Sequence, residues 1–309
     1  MLTHGDQMLR DTARTAFWGG FNSTPDSMSW LALRRPSNAD QETYAGFGFA
    51  PGVREMLGGR VKRSVPQYSF TLVNKEFEST VVIDYKTRKF SKNNDVQNLL
   101  SAMGRKARAF PTKLGTQVFI NNTAGAGYDG LALFHASHVD PGVPYQTAQT
   151  NLATANWTTD GSPTDTEMAA AIRTCIGQLM GFKDGDSDPY WPGENFDCVV
   201  MVPTQLYEMA RRVATVDQLT GPVGNDLKGA FRVAVNPYLP FVAATATFYV
   251  INASAEQRPL VYQVAEEVGL SDDMGGDNEF DTKSVSFGTY ALYNAGVGNY
   301  RSVVRFIGT

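Results

Sequence analysis

Between residues 94 and 121 apolar side chains recur at spacings of three and four: Val96, Leu99/Leu100, Met103, Ala107, Phe110, Leu114 and Val118. That period lines one face of an α-helix. At 1.5 Å per residue the helix would be about 40 Å long. Asn93, Asn94 and Asp95 supply a cap and a negative first turn. Pro111 sits inside, where it removes one backbone donor and predicts a kink. A long helix with one apolar stripe needs a surface to lie across, most simply a sheet. A second helix is predicted over 165–181. Thr164 and Glu167 form its capping box, and Met168, Ile172, Cys175/Ile176 and Leu179 its stripe. Pro203 opens a third, from Thr204 to Ala214.

Strand patterns fall at 75–85, where Thr80-Val81-Val82-Ile83 is rich in β-branched residues, and at 196–202, where Cys198 to Val202 are apolar without a break. Further strands are expected at 231–235, 246–252, 259–265, 284–293 and 300–307. Helices and strands do not alternate regularly, which predicts an α+β fold. Residues 122–163 read as irregular.

The first 45 residues show no sustained period, only scattered aromatics that include Phe17, Trp18, Phe21, Trp30 and Tyr44. The expectation is an irregular segment lying along its own domain or a neighbour. Residues 46–73 carry five glycines, the basic residues Arg54, Arg60, Lys62 and Arg63, and partial alternation through Val61, Val65, Tyr68, Phe70 and Leu72. This predicts a long hairpin. Two strands alone are marginal in water, so the hairpin needs a surface, which a neighbouring subunit could supply.

Composition narrows the classes. With 309 residues, 42% hydrophobic, the chain can bury a real core in one large domain or two smaller ones. No apolar run approaches the roughly 20 residues of a membrane span, and Met1–Asp6 lacks the pattern of a secretory signal. A net charge of −4 argues against a broad basic face for nucleic acid. Cys175 and Cys198 read as buried free thiols.

Candidate chemistry is thin. Gly125-Ala126-Gly127-Tyr128-Asp129-Gly130 matches G-x-G-x-x-G but follows a helix instead of a strand, so no dinucleotide site is expected. His135 and His138, with Asp140 near, could be metal ligands. The only other histidine is His4, and the cysteines are not in a C-x-x-C pair. Loop histidines held by hydrogen bonds are the simpler reading. No G-x-S-x-G elbow or Walker lysine loop occurs. Lys62 or Lys75 could form an isopeptide bond to a neighbour's asparagine only beside a buried carboxylate. The sequence shows none, and residues 271–282 read as a solvated acidic turn. No catalytic, cofactor-binding or metal residue is therefore predicted.

The ordered text resembles the Mu-like phage major head subunit family. The resemblance is carried by Pro51-Gly52-Val53-Arg54-Glu55, Gly58-Gly59-Arg60 and the run Tyr68 to Glu78. It continues through Met103-Gly104-Arg105, Phe110-Pro111, Val118-Phe119, Tyr128-Asp129-Gly130, Leu133-Phe134 and His138. Val200-Met201-Val202-Pro203, Val235-Asn236-Pro237, Gly288-Thr289-Tyr290 and Gly296-Val297-Gly298 complete it. The matches run in order over roughly 45–305. Two places depart from the family pattern: the basic stretch Lys86-Thr87-Arg88-Lys89, and Asn299-Tyr300 after the last glycine turn.

The resemblance implies the Hong Kong 97 phage coat fold. Mapped onto this chain, it would give an N-terminal arm (1–45) and an extended E-loop hairpin (46–74). A peripheral domain (75–149) would carry the spine helix 94–121. An axial domain (150–255) and a return to the peripheral domain (256–309) would follow. The implied function is that of a major capsid protein of a tailed bacteriophage. Its pentamers and hexamers would form an icosahedral head around double-stranded DNA, assembled in the host bacterial cytoplasm and residing in the virion. The implied partners are other copies, a separate scaffold protein, a portal protein, packaged DNA by proximity and a possible decoration protein, with no membrane. Arg54, Arg60, Lys62, Arg63, Phe47, Phe49, Trp18 and Trp30 are the candidates for inter-subunit contact. An encapsulating nanocompartment of the same fold, a tail or neck protein, and a metal-dependent enzyme using His135 and His138 are the alternatives.

Overall fold

A computed structural model of the chain describes residues 4–45, 55–56, 69–90, 94–140, 147–185, 187–191, 196–221, 224–254, 256–275 and 282–309. Six α-helices and eleven strands are seen among them. In chain order they are α1 (His4–Asn22), α2 (Met28–Leu31), β1 (Ala32–Pro36), β2 (Gln41–Ala45), β3 (Ser69–Val73), β4 (Lys75–Asp84), α3 (Tyr85–Phe90), α4 (Asn94–Asn121) and β5 (Leu152–Ala155). There follow α5 (Asp165–Met180), β6 (Cys198–Val202), α6 (Tyr207–Thr215), β7 (Arg232–Val235), β8 (Ala246–Asn252), β9 (Leu260–Asp272), β10 (Ser284–Val297) and β11 (Val303–Gly308).

Two sheets organise the chain. The first has the order β1-β9-β10-β4, antiparallel except for the parallel β1–β9 pair. The second has the order β5-β11-β8-β6-β7. One short turn of 3-10 helix, Tyr300–Ser302, carries the chain from β10 of the first sheet to β11 of the second. Helices α5 and α6 cover the second sheet, whose interior strand β6 is buried at all five positions. Helix α4 lies over β9 and β10 of the first sheet.

The long helix has the bounds that its apolar period predicts, and it continues through Pro111. At the start of α5, Thr164 accepts from the Glu167 amide, and the Glu167 carboxylate accepts from the Thr164 amide, as the capping box predicts. The strands end differently. β9 runs seven residues past 265 and β10 four past 293, because both hold their pairing along the whole sheet.

The amino-terminal segment is not irregular. Residues 4–22 are helical, and the aromatics that looked scattered divide between two faces. Phe17, with Ala13, is buried against Leu100 and Met103 of α4 and Phe287 of β10. Helices α1 and α4 cross at glycines. A Cβ built on Gly20 would stand 2.1 Å from the Ser101 carbonyl oxygen, and one on Gly104 would stand 2.1 Å from that of Phe17. Tertiary contact, more than local period, specifies this helix. Its outer end is tied down by Arg10 and Arg14, both ion-paired with the buried Asp272 carboxylate of β9.

Candidate functional site

The candidate residues and the polar groups around them fall into three places. The first is the predicted hairpin. β2 and β3 pair antiparallel, with Gln41 opposite Val73 and Ala45 opposite Ser69. The ribbon therefore begins five residues before the predicted start, and it brings the two ends of segment 46–68 together. Phe47, Phe49, Arg54, Arg60, Lys62 and Arg63 lie outside the described residues; Glu55 and Met56 are exposed. The ribbon is seated on the first sheet by side-chain hydrogen bonds. Gln263 donates to the Leu72 carbonyl (3.2 Å) and to Asn74 Oδ1 (2.7 Å), and Asn294 donates to the Val73 carbonyl (2.7 Å). Tyr44 donates its hydroxyl to Gln263 Oε1 (2.8 Å).

The second place holds the two tryptophans. Trp18 lies on the outer side of α1, edge-on to Phe17 and Phe21, and keeps 36% of its surface exposed. Trp30 is half-buried, with the Arg232 guanidinium of β7 5.3 Å above its ring, so much of its area is already used within the chain. The structure does not bring Trp18, Trp30 and the hairpin base into one cluster.

The third place is a buried polar cluster where the two sheets join. Arg301 is 1% exposed and donates to Asp140 Oδ2 (2.6 Å), the Tyr128 hydroxyl (2.8 Å) and the Lys183 carbonyl (3.2 Å). Its guanidinium also lies over the rings of Tyr190 and Tyr300. Burial alone would lower the Arg301 pKa; Tyr128, Tyr300 and Asp140 outweigh it and hold the group firmly charged. Burial pushes the Tyr128 hydroxyl well above its ordinary value, so it stays a neutral donor and acceptor. Sequence reasoning missed Arg301 because its partners lie far along the chain.

The same cluster absorbs the histidines. His138 Nδ1 is 2.5 Å from Asp129 Oδ2, and its ring stacks on Tyr300 at 3.8 Å. His135 Nδ1 accepts the Ser137 amide. Asp140 is engaged by Arg301 and does not face the two rings as a third ligand. Among the described residues no group of three His, Cys, Asp or Glu side chains could hold a metal. Gly125 and Gly130 take positive φ in the turn after α4, where Gly127 donates to the Leu131 carbonyl. This turn closes a loop and opens no helix. No helix among the described residues is long and apolar enough to cross a membrane.

Comparison with known proteins identifies the family. Residues 7–166 match the family described as Mu-like prophage major head subunit gpT. The major capsid protein of Escherichia phage Mu is 26% identical over 130 residues, 42% of this chain and 43% of that protein. The aligned part thus spans less than half of that relative. A chain from the procapsid of bacteriophage JBD30 superposes with a TM-score of 0.56 at 19% identity, over 97% of this chain and 73% of its own. One from the mature capsid of bacteriophage PhiM1 gives 0.61 at 12% identity, over 93% of this chain and 87% of its own. These similarities place the α+β architecture among phage capsid folds. With just over half of its residues matched, the chain belongs to the Mu-like prophage major head subunit family.

Proposed function

We propose that this protein is the major capsid protein of a tailed bacteriophage, the repeated unit of an icosahedral head. The observation that carries the reading is the extent of the fold. The family match ends at residue 166, yet similarity to a phage procapsid chain continues over 97% of the sequence. The second sheet and its helices therefore belong to the same capsid architecture.

In this reading the protein works by packing and not by catalysis. The β2–β3 ribbon projects segment 46–68 as the E-loop, and α4 is the spine of the peripheral domain. The second sheet forms the axial domain near the capsomer centre. Arg54, Arg60, Lys62 and Arg63 meet charges on a neighbour, while Phe47, Phe49 and the exposed part of Trp18 are covered in the assembly. Exposed ion pairs contribute only about 0–1 kcal/mol each. Buried aromatic area and the number of copies must then supply most of the stability. Pentamers and hexamers, a separate scaffold, a portal and enclosed double-stranded DNA complete the proposal, with a decoration protein as a possible addition.

The test is to express the chain with and without a scaffold protein and image the product by negative-stain electron microscopy. Closed shells are expected, alone or beside tubes and capsomers. A chain that stays monomeric under every condition contradicts the reading.

A further inference from the structure

Beneath α4 the ladder between β9 and β10 is irregular. Tyr290 of β10 is paired with Gly269 of β9, Leu292 with Glu266, and Tyr293 with Val264. A step of two residues along β10 therefore matches three along β9, and the next step of one matches two. Bulges of this kind bend a strand and disturb its packing. A cavity of about 200 Å³ lies at this place, between α4 and strands β4, β9 and β10. Val268, inside the first bulge, forms part of its wall.

The walls are chiefly apolar. The rings of Phe77 on β4 and Phe110 on α4 have centroids 4.8 Å apart, and Phe77 stacks on Tyr293 of β10 at 4.9 Å. Ala107 of α4 and Ala291 of β10 contribute only a methyl group each, so the helix and the sheet do not fill the space between them. The charged groups of the lining, Glu78 and Lys106, are exposed and stand at the rim.

One polar group of the wall is unused within the chain. Tyr293 is 2% exposed and lines the cavity, yet its hydroxyl has no hydrogen-bond partner among the described residues. A buried hydroxyl left unpaired is costly, and most such groups in proteins are paired. Burial pushes its pKa up, so it stays a neutral donor and acceptor. Size narrows what could pair with it. An apolar cavity of about 150 Å³ takes up benzene. The cavity under α4 is larger by roughly one small substituent. A charged ligand would lose its hydration with no buried ion to meet it.

We infer that this cavity is a binding site for a small uncharged aromatic molecule with one hydroxyl group, of the phenol class. Its ring would lie among Phe77, Phe110 and Met103, and its oxygen would meet the Tyr293 hydroxyl. All the lining residues belong to one copy, so the site is complete without a neighbour. An occupant joins α4 to the sheet and binds the folded chain alone, so it should raise the melting temperature as its concentration rises.

The test titrates the full chain, isotope-labelled at its methionine methyls, with phenol and separately with toluene, which has the same shape without the hydroxyl. The Met103 signal, assigned through Met103→Leu, should shift and saturate with phenol at about 1 mM, the scale for a ligand of this size. Tyr293→Phe removes only the hydroxyl. It should leave toluene binding unchanged and weaken phenol about three- to tenfold, the worth of one hydrogen bond. Ala107→Leu fills the space from the helix side and should abolish both shifts. A Met103 signal that does not move in the wild-type chain at about 10 mM phenol overturns the inference. Phenol that binds the wild-type chain and Tyr293→Phe alike overturns it too, because the hydroxyl then takes no part. So does binding that survives Ala107→Leu, because the ligand then sits elsewhere.

Discussion

Arg301 and Asp140 form an ion pair of 2.6 Å between side chains that are 1% and 4% exposed, at the turn where the chain passes from the first sheet to the second. The Tyr128 hydroxyl closes the group by accepting from Arg301 and donating to Asp140. Taking either charge out leaves the other buried and uncompensated, at a cost of about 3–5 kcal/mol. Arg301→Met and Asp140→Asn should each destabilise the folded chain by that amount in denaturant titration. Replacing both together with apolar residues should cost less than either single change. A loss below about 1 kcal/mol in each single variant would show that the pair does not lock the junction.

Two adjacent glycines in α1 should respond in opposite directions. Gly19 is exposed with nothing within 4 Å of a built Cβ, so Gly19→Ala gains helix propensity, about 0.5–1 kcal/mol. At Gly20 the new methyl would collide with the backbone carbonyl of Ser101, so Gly20→Ala must push α1 off α4. Overpacking of this kind costs about 1–3 kcal/mol. Thermal melts should separate the two, and amide exchange over residues 4–22 should quicken only in the second.

Acid should loosen α5 through Glu167. The Thr164 amide, then the hydroxyl and amide of Thr158, hydrogen-bond its carboxylate and lower its pKa from 4.5 to about 2. A lowered value means that the ionised form stabilises the fold. The contribution is complete above pH 4.5 and is lost as pH falls from there towards 2. Glu167→Gln should flatten that part of the stability–pH curve. Thr164→Ala should cost about 1 kcal/mol near neutrality by removing the cap.

The two cysteines should be silent. Cys198 is buried in β6 with its thiol pushed up to about 12, and burial raises Cys175 further. Neither is a thiolate near neutral pH, so thiol reagents should label them only after unfolding. Rapid labelling of the native chain would contradict the packing of α5 on β6.

Much of this architecture is readable without coordinates because it rests on local signals. The period from Val96 to Val118 fixes α4 to the residue, and Thr164 with Glu167 fixes the start of α5. Helix α1 escaped because its buried face is set by Gly20 against Ser101 and Gly104 against Phe17, contacts more than eighty residues apart in the chain. Arg301 escaped for the same reason, its acceptor being 161 residues away. The hairpin base was legible only in part, because β2 at 41–45 takes its identity from pairing with β3 more than from its own pattern. The histidines illustrate the converse. Their spacing allows ligands, but the simpler reading of loop histidines held by hydrogen bonds is the one the fold realises, with Asp129 and Tyr300 engaging His138.

The most direct measurement is a cryo-electron microscopy reconstruction of particles assembled from this chain. The account predicts closed icosahedral shells in which α4 and both sheets fit each subunit, with pentamers at the vertices and hexamers between them. Homogeneous particles of another kind, such as rings, tubes without caps or isolated monomers, with no closed shell under any condition, would contradict it.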